Sequence, residues 1–243
     1  MAIQSFFKRY ELKYMLTMLT MPQYQELCKV MDSHMVLDEF GRHKISNIYF
    51  DTHDYSIIRT SIEKPRYKEK LRLRIYGEPD DEATAYVELK KKYNGVVYKR
   101  RVTYKQEEAL VKLYATGNDE EVTQIKKEIN YFISTYDDLM PRVYLSYERE
   151  AYYCFDNDTF RMTFDFNIKT RMNNISLYSS AEDLDVLSDE YVLLEVKTVE
   201  GLPFWLLEFM KQNQVYKRSF SKYGTAFNKF ILPTFVQDLE RRA

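Results

Sequence analysis

No glycine-rich phosphate cradle occurs in this chain. It has neither a G-x-x-x-x-G-K-S/T loop nor a G-x-G-x-x-G fingerprint, which excludes the familiar nucleotide folds built on them. Six glycines and six prolines among 243 residues are too few for a linker-rich or low-complexity chain. The two cysteines, Cys28 and Cys154, lie far apart and without metal spacing, so neither a disulfide framework nor a zinc site is expected, and a reducing compartment fits. The three histidines, His34, His43 and His53, show no metal-ligand or triad spacing. No apolar run approaches the roughly 20 residues that cross a bilayer, and the opening MAIQSFFKRYELKY has no secretory apolar region. These absences predict a cytoplasmic chain without membrane insertion. No linker or solenoid-length repeat divides the sequence, so one domain is expected over residues 1–243.

What is present is aromatic and charged. The 22 tyrosines and 15 phenylalanines favour strands, where flat side chains pack on a pleated surface. The formal net charge is only −1, but the charges are segregated along the chain. Lys64, Arg66, Lys68, Lys70, Arg72 and Arg74 follow one another with Glu69 alone among them, and Lys90 to Lys105 holds seven basic residues and no acidic one. The acidic surplus falls between Glu107 and Asp138. A chain of neutral total can thus hold a polyanion.

Helical spacing predicts a helix capped by Thr20 with Pro22 in its first turn, and others over 105–116, 119–136, 203–214 and 220–231. Strands are expected near 44–51, 70–76, 85–91, 96–104, 142–152, 161–170 and 191–198. Seven strands at hairpin spacing point to an antiparallel sheet closing into a barrel, with helices outside it or at its ends.

Successive side chains of a strand point to opposite faces. Leu71, Leu73 and Ile75 therefore oppose Arg72, Arg74 and Tyr76, while Ala85, Val87 and Leu89 oppose Tyr86, Glu88 and Lys90. Further on, Met162, Phe164, Phe166 and Ile168 oppose Arg161, Thr163, Asp165, Asn167, Lys169 and Arg171. One packed and one wet face is the ordinary reading of such a sheet. Cations recurring on at least four strands fit it badly, since directly opposed like charges destabilise a sheet by roughly 0.2–1 kcal/mol per pair. If helices cover the apolar face, the cations turn inward and need an anion. Arginine forks and lysine point charges suit phosphate, and a carboxylate among them (Glu88, Glu195 or Glu11) suits a Mg²⁺ or Mn²⁺ bridging phosphate oxygens. Nucleic acid is the competing polyanion, and a narrow basic tunnel fits a bare phosphate chain better than a base-bearing strand.

In order along the chain, RYELKY, SNIYFDT, KLRLRIYG, AYVELKKK, YKRRV, YLSYEREAY, LLEVKT and RSFSKYGTAF resemble the VTC domain, the polyphosphate-polymerase branch of the triphosphate tunnel metalloenzymes. The resemblance implies an α+β fold, an antiparallel eight-stranded barrel around a basic tunnel. It implies catalytic roles for Arg72, Arg74, Lys90 and Arg149, and phosphate binding by Lys13, Lys99, Arg101, Lys197, Ser221 and Lys222. Glu195 would ligate the divalent metal, with Glu88 and Glu11 as further carboxylates. Arg142 is a weaker counterpart of Arg149, being on the opposite face of its strand. Two positions depart from the pattern: Arg9 stands where relatives begin an acidic pair, and Ser219 where the polymerases have a base. The implied activity is polyphosphate synthesis from a nucleoside triphosphate. Hydrolysis of tripolyphosphate or nucleotide, and a non-catalytic sensor, are the alternatives. Any membrane link would run through a membrane-protein partner.

Overall fold

The computed structural model describes residues 6–9, 13–115, 123–179 and 181–240, with backbone alone for 6–9, 13–15 and 238–240. Strands β1 (Phe6–Arg9) and β2 (Lys13–Thr20) lead into helix α1 (Met21–Met31). Thr20 caps α1 in a reciprocal box with Gln23, and Pro22 sits in the first turn, where its missing N–H costs nothing. Then come β3 (Met35–Leu37), β4 (His43–Asp51), α2 (Ser56–Ile62), β5 (Tyr67–Tyr76), β6 (Thr84–Tyr93) and β7 (Val96–Lys105). The β6–β7 hairpin turns on Asn94–Gly95, both at positive φ (45° and 87°), as a two-residue hairpin requires. Helices α3 (Ala109–Tyr114) and α4 (Gln124–Thr135) precede β8 (Met140–Cys154), β9 (Arg161–Arg171), β10 (Leu184–Asp185) and β11 (Tyr191–Lys197). The chain ends in α5 (Phe204–Gln212), α6 (Lys222–Ala226), a π-helical turn Phe227–Ile231 and α7 (Leu232–Glu240).

All these strands join one antiparallel sheet in the order β1-β7-β6-β5-β4-β8-β9-β11-β2, with β3 and β10 added on β8 and β9. The architecture is α+β, as the sequence predicts. The expected eight-stranded barrel is, among the described residues, an 11-stranded sheet with no pairing between its end strands β1 and β2. Those ends are nevertheless consecutive in sequence: Arg9 closes β1 and Lys13 opens β2. Four residues reach at most about 14 Å, so the sheet must roll until its edges nearly meet.

Helices cover the outer face of this roll. Leu71, Leu73, Ile75, Ala85, Val87 and Leu89 are buried against Ala109, Leu113, Ile129 and Phe132 of α3 and α4. Met162, Phe164, Val192, Leu194 and Val196 are buried against Leu27 and Met31 of α1 and Leu206 and Phe209 of α5. The inner face is divided. Tyr223, Ala226, Phe227 and Ile231 of the last helical run pack onto Ile45, Val143, Leu145, Ile168 and Leu193, so one helix lies inside rather than outside or at an end. The rest of the inner face is charged.

Strands β1, β2, β3 and β10 and helix α2 have no counterpart among the expected elements. The N-cap of α2, Tyr55, is left-handed (φ 60°) and offers no side-chain cap. The buried Asp51 instead accepts from the N–H groups of Ile57 and Ile58 across the loop. The final helix does not stop before Pro233. The chain widens into the π turn just ahead of it, which moves aside the carbonyl that the proline ring would strike. In β9, Asn167 at φ 49° accompanies a register shift opposite Ser146 and Glu148, which turns Ile168 to the inner face, away from Phe166. The end of the 105–116 helix and the start of the 119–136 helix lie outside the described residues.

Candidate phosphate-binding site

Directly opposed residues of antiparallel strands share a face, so the register assembles the site in rows. One row is Tyr49, Arg72, Glu88 and Arg101 across β4, β5, β6 and β7. The neighbouring rows, about 7 Å away along the strands, are Asn47, Arg74 and Tyr86 on one side and Lys70, Lys90 and Lys99 on the other.

Glu88 is the hub of the first row. Arg72 reaches it with Nη2 at 2.7 Å and Nε at 2.8 Å, and Arg74 Nε stands 3.8 Å away. Arg101 donates to it through Nε at 2.9 Å and also through Nη2. Burial alone would raise the Glu88 carboxyl, but Arg72, Arg74 and Arg101 outweigh it and hold the group well below the usual carboxylate range. The arginines are aimed by their other partners. Arg74 donates from Nε to Asn47 Oδ1 (2.9 Å) and from Nη2 to the Tyr147 hydroxyl (3.0 Å), and Arg72 donates to the Tyr49 hydroxyl (3.2 Å).

A second ionic cluster centres on Asp165, which has no exposed surface. Arg149 holds it bidentately at 2.6 and 2.8 Å, and Lys222 Nζ lies 2.5 Å away. Burial raises this carboxyl too, and Arg149 with Lys222 overrides it, keeping Asp165 ionised. Tyr147 joins the clusters: Lys222 and Arg149 lie over its ring at 4.5 and 5.2 Å, while its hydroxyl meets Arg74.

Glu195, buried, comes from β11 one step beyond Asp165, with Lys197 Nζ at 3.5 Å. Its cross-strand partner is Thr163, whose buried Oγ1 has no hydrogen-bond partner among the described residues. Among the described residues no three His, Cys, Asp or Glu side chains converge into a metal cluster. A Mg²⁺-type ion, however, is commonly held by one or two carboxylates with substrate phosphates and water filling the remaining positions. Glu195 with the orphaned Thr163 hydroxyl beside it fits that sparse arrangement. Glu88, spent on three guanidiniums, does not. Glu11 lies outside the described residues.

The structure therefore gathers Arg72, Arg74 and Arg101 around Glu88, sets Lys90 and Lys99 in the adjoining row, and places Arg149 with Lys222. Lys13 pairs in register with Lys197, its side chain being outside the described residues. Ser221 is the N-cap of α6, its hydroxyl accepting from Gly224 N–H (3.2 Å), which engages that N–H and leaves the hydroxyl its own proton to donate. Arg142 stands apart, over the Tyr55 ring at 4.2 Å and donating to the His53 carbonyl at 3.2 Å.

Sequence reasoning missed two charged members. Asp165 was visible on the polar face of its strand, yet only the β8–β9 register sets it opposite Arg149. Lys70 continues the alternation of Arg72 and Arg74 and could have been found from it. Its ammonium lies 5.7 Å from the Tyr223 ring centre. Burial pushes its pKa down to about 8; Tyr49 and Asp51 act against the fall, while Lys68 and Arg72 add to it.

The fold is a rolled antiparallel sheet with rows of largely half-buried arginine and lysine on its inner face. The chain belongs to the VTC domain family, whose pattern it matches over residues 8–231. Among solved structures it is similar to an adenylate cyclase candidate from Bacillus halodurans, at 16% identity and TM-score 0.50, over 89% of this chain and 95% of that one. A Hippeastrum adenylyl cyclase candidate described as having a dominant triphosphatase activity gives 16% identity and TM-score 0.47, over 88% and 92% of the two chains. A protein from Pyrococcus horikoshii OT3 gives 11% and 0.45, over 88% and 98%. The first of these supports the shared fold. No curated protein sequence matches. No helix among the described residues is long and apolar enough to cross a membrane.

Proposed function

We propose that this chain carries out metal-assisted phosphoryl transfer in its basic tunnel, building polyphosphate from a nucleoside triphosphate. The observation that carries this reading is the charge surplus on the inner face. Among the described residues Arg72, Arg74 and Arg101 share Glu88, and Arg149 and Lys222 share Asp165, with Lys70, Lys90 and Lys99 in the row beside the first cluster. Positive charge in excess of carboxylate within each of these largely half-buried clusters favours an anionic partner.

In a loose phosphoryl-transfer transition state the charge spreads over the phosphoryl oxygens, and catalysis is mostly positioning and charge stabilisation. Arg72, Arg74 and Arg149 would grip the transferring and adjoining phosphates. Lys13, Lys90, Lys99, Arg101, Lys197 and Lys222 would guide the chain, and the lysine row on β5, β6 and β7 gives it a path. Glu195 would hold a Mg²⁺ or Mn²⁺, which would supply charge neutralisation to the bound phosphates. A terminal oxygen of the acceptor phosphate chain, already ionised, attacks the γ-phosphorus while the β–γ P–O bond breaks and the nucleoside diphosphate leaves, so no base is needed. Hydrolysis would need a carboxylate able to take a proton from water, and Glu88 and Asp165 are held ionised by arginine, which makes them poor bases. Among the described residues that favours transfer to phosphate over transfer to water, Glu11, the other candidate base, lying outside them.

The test is incubation of the whole chain with ATP and Mn²⁺. Long-chain polyphosphate is the expected product. Orthophosphate without chains would replace this reading by hydrolysis, and tight binding without turnover by a sensor. Glu195→Gln should lower turnover at least about tenfold and flatten its dependence on Mn²⁺ concentration, with the melting temperature retained.

Lys70 adds a pH signature. With its free-state pKa near 8, the ammonium that pairs with phosphate is present below that pH and is lost as pH rises through it. Tripolyphosphate affinity should therefore fall above pH 8 by up to about tenfold per unit, the limit for one linked proton. Calorimetric titration at pH 7 and pH 9 measures this, and Lys70→Met should flatten the difference. An unchanged slope in that variant would remove Lys70 from the site.

A further inference from the structure

The inner face of β5 and β6 is not the same at its two ends. Past Arg72 it continues into Lys70 and Lys90, then Lys68 and Lys92, which face each other across the strands. Past Arg74 it changes to rings. Tyr76 and Tyr86 meet edge to face at 5.4 Å, His43 tilts against Tyr76 at 6.2 Å, and Phe40 stands edge-on to His43 at 6.1 Å. Phe40 is 69% exposed and Tyr76 40%. This aromatic row runs directly into the cationic cluster, with Arg101 over the Tyr86 ring at 4.7 Å and Arg74 5.8 Å from the Tyr76 centre.

Exposed rings joined to phosphate-gripping arginines match one class of ligand, a π-system covalently tied to phosphates. We propose that Phe40, His43, Tyr76 and Tyr86 form a nucleobase platform at one mouth of the tunnel, so that a nucleoside triphosphate enters base-last from this end and the growing phosphate chain leaves toward Lys68 and Lys92. The inference rests on the phosphate-tunnel reading and deepens it by giving the tunnel a direction. Stacking reads ring area rather than base edges. The platform therefore accepts all four bases and favours purines over pyrimidines.

Tyr76→Ala and Phe40→Ala remove rings that are substantially exposed, which leaves the packed faces of the sheet intact. The probes are ATP and inorganic tripolyphosphate, which share the phosphates and differ in the base. Each ring variant should weaken ATP binding about tenfold, the size of one base–aromatic stack. Tripolyphosphate should bind them as it binds the parent chain, and Tyr76→Trp should restore ATP. Equal weakening of both ligands, or no weakening of ATP in either variant, overturns the platform while the tunnel reading stands. A parent chain that binds neither ligand overturns both.

Discussion

Arg72→Ala is expected to weaken tripolyphosphate binding roughly 100-fold, about 2.8 kcal/mol at 1.4 kcal/mol per decade, with little change in melting temperature. Charge-assisted hydrogen bonds contribute about 1.5–3 kcal/mol each, and a guanidinium can offer two to one phosphate. Arg72 is the better target of the pair because its side chain is 23% exposed against 8% for Arg74. Its loss leaves Glu88 with Arg101 and Arg74, so the interior keeps its counter-ions. Arg74→Ala would also strand Asn47 Oδ1 and the Tyr147 hydroxyl, and would mix lost binding with lost stability. Arg142→Ala is the control: its guanidinium sits over Tyr55, away from the cluster, and affinity should not change. If titration finds Arg72→Ala binding as tightly as the parent, the tunnel assignment falls.

Asp165→Asn is expected to have the largest effect on stability. The residue is fully buried between Arg149 and Lys222, and removing one partner of a buried ionic group strands the others. Such changes cost about 3–5 kcal/mol, or roughly 6–20 °C in melting temperature for a domain of this size. The folded carboxyl lies below its ordinary pKa. Its contribution is therefore complete above the usual carboxylate range, and is lost as pH falls through the depressed folded value. At neutral pH the variant should show the full deficit, narrowing in acid. Tripolyphosphate should restore much of the loss at pH 7, because the ligand replaces the missing anion beside Arg149 and Lys222. A melting curve unchanged by the substitution would show that the two cations are balanced elsewhere, and would dissolve the second cluster as a unit.

Both predictions depend on alternation read from sequence and on register supplied by folding. The alternation of KLRLRIY and AYVELKKK is local, because a strand sends neighbouring side chains to opposite sides wherever it lies. It separated Leu71 from Arg72 and Leu89 from Glu88 without any knowledge of partners. Thr20 as a cap was legible for the same reason, since a cap acts within a few residues. That the last helix continues past Pro233 was not legible, because it depends on the π turn Phe227–Ile231 that precedes the proline.

The sequence by itself determined which residues of each strand are oily and which are cationic. Only the tertiary structure decided which cations meet. The β4–β8–β9 register brings Arg149 onto Asp165, and the return of α6 into the roll sets Lys222 beside them, 57 residues of chain beyond Asp165. Charge pairing across such separations has no local signature: it is fixed by strand order and shear, which are properties of the whole sheet.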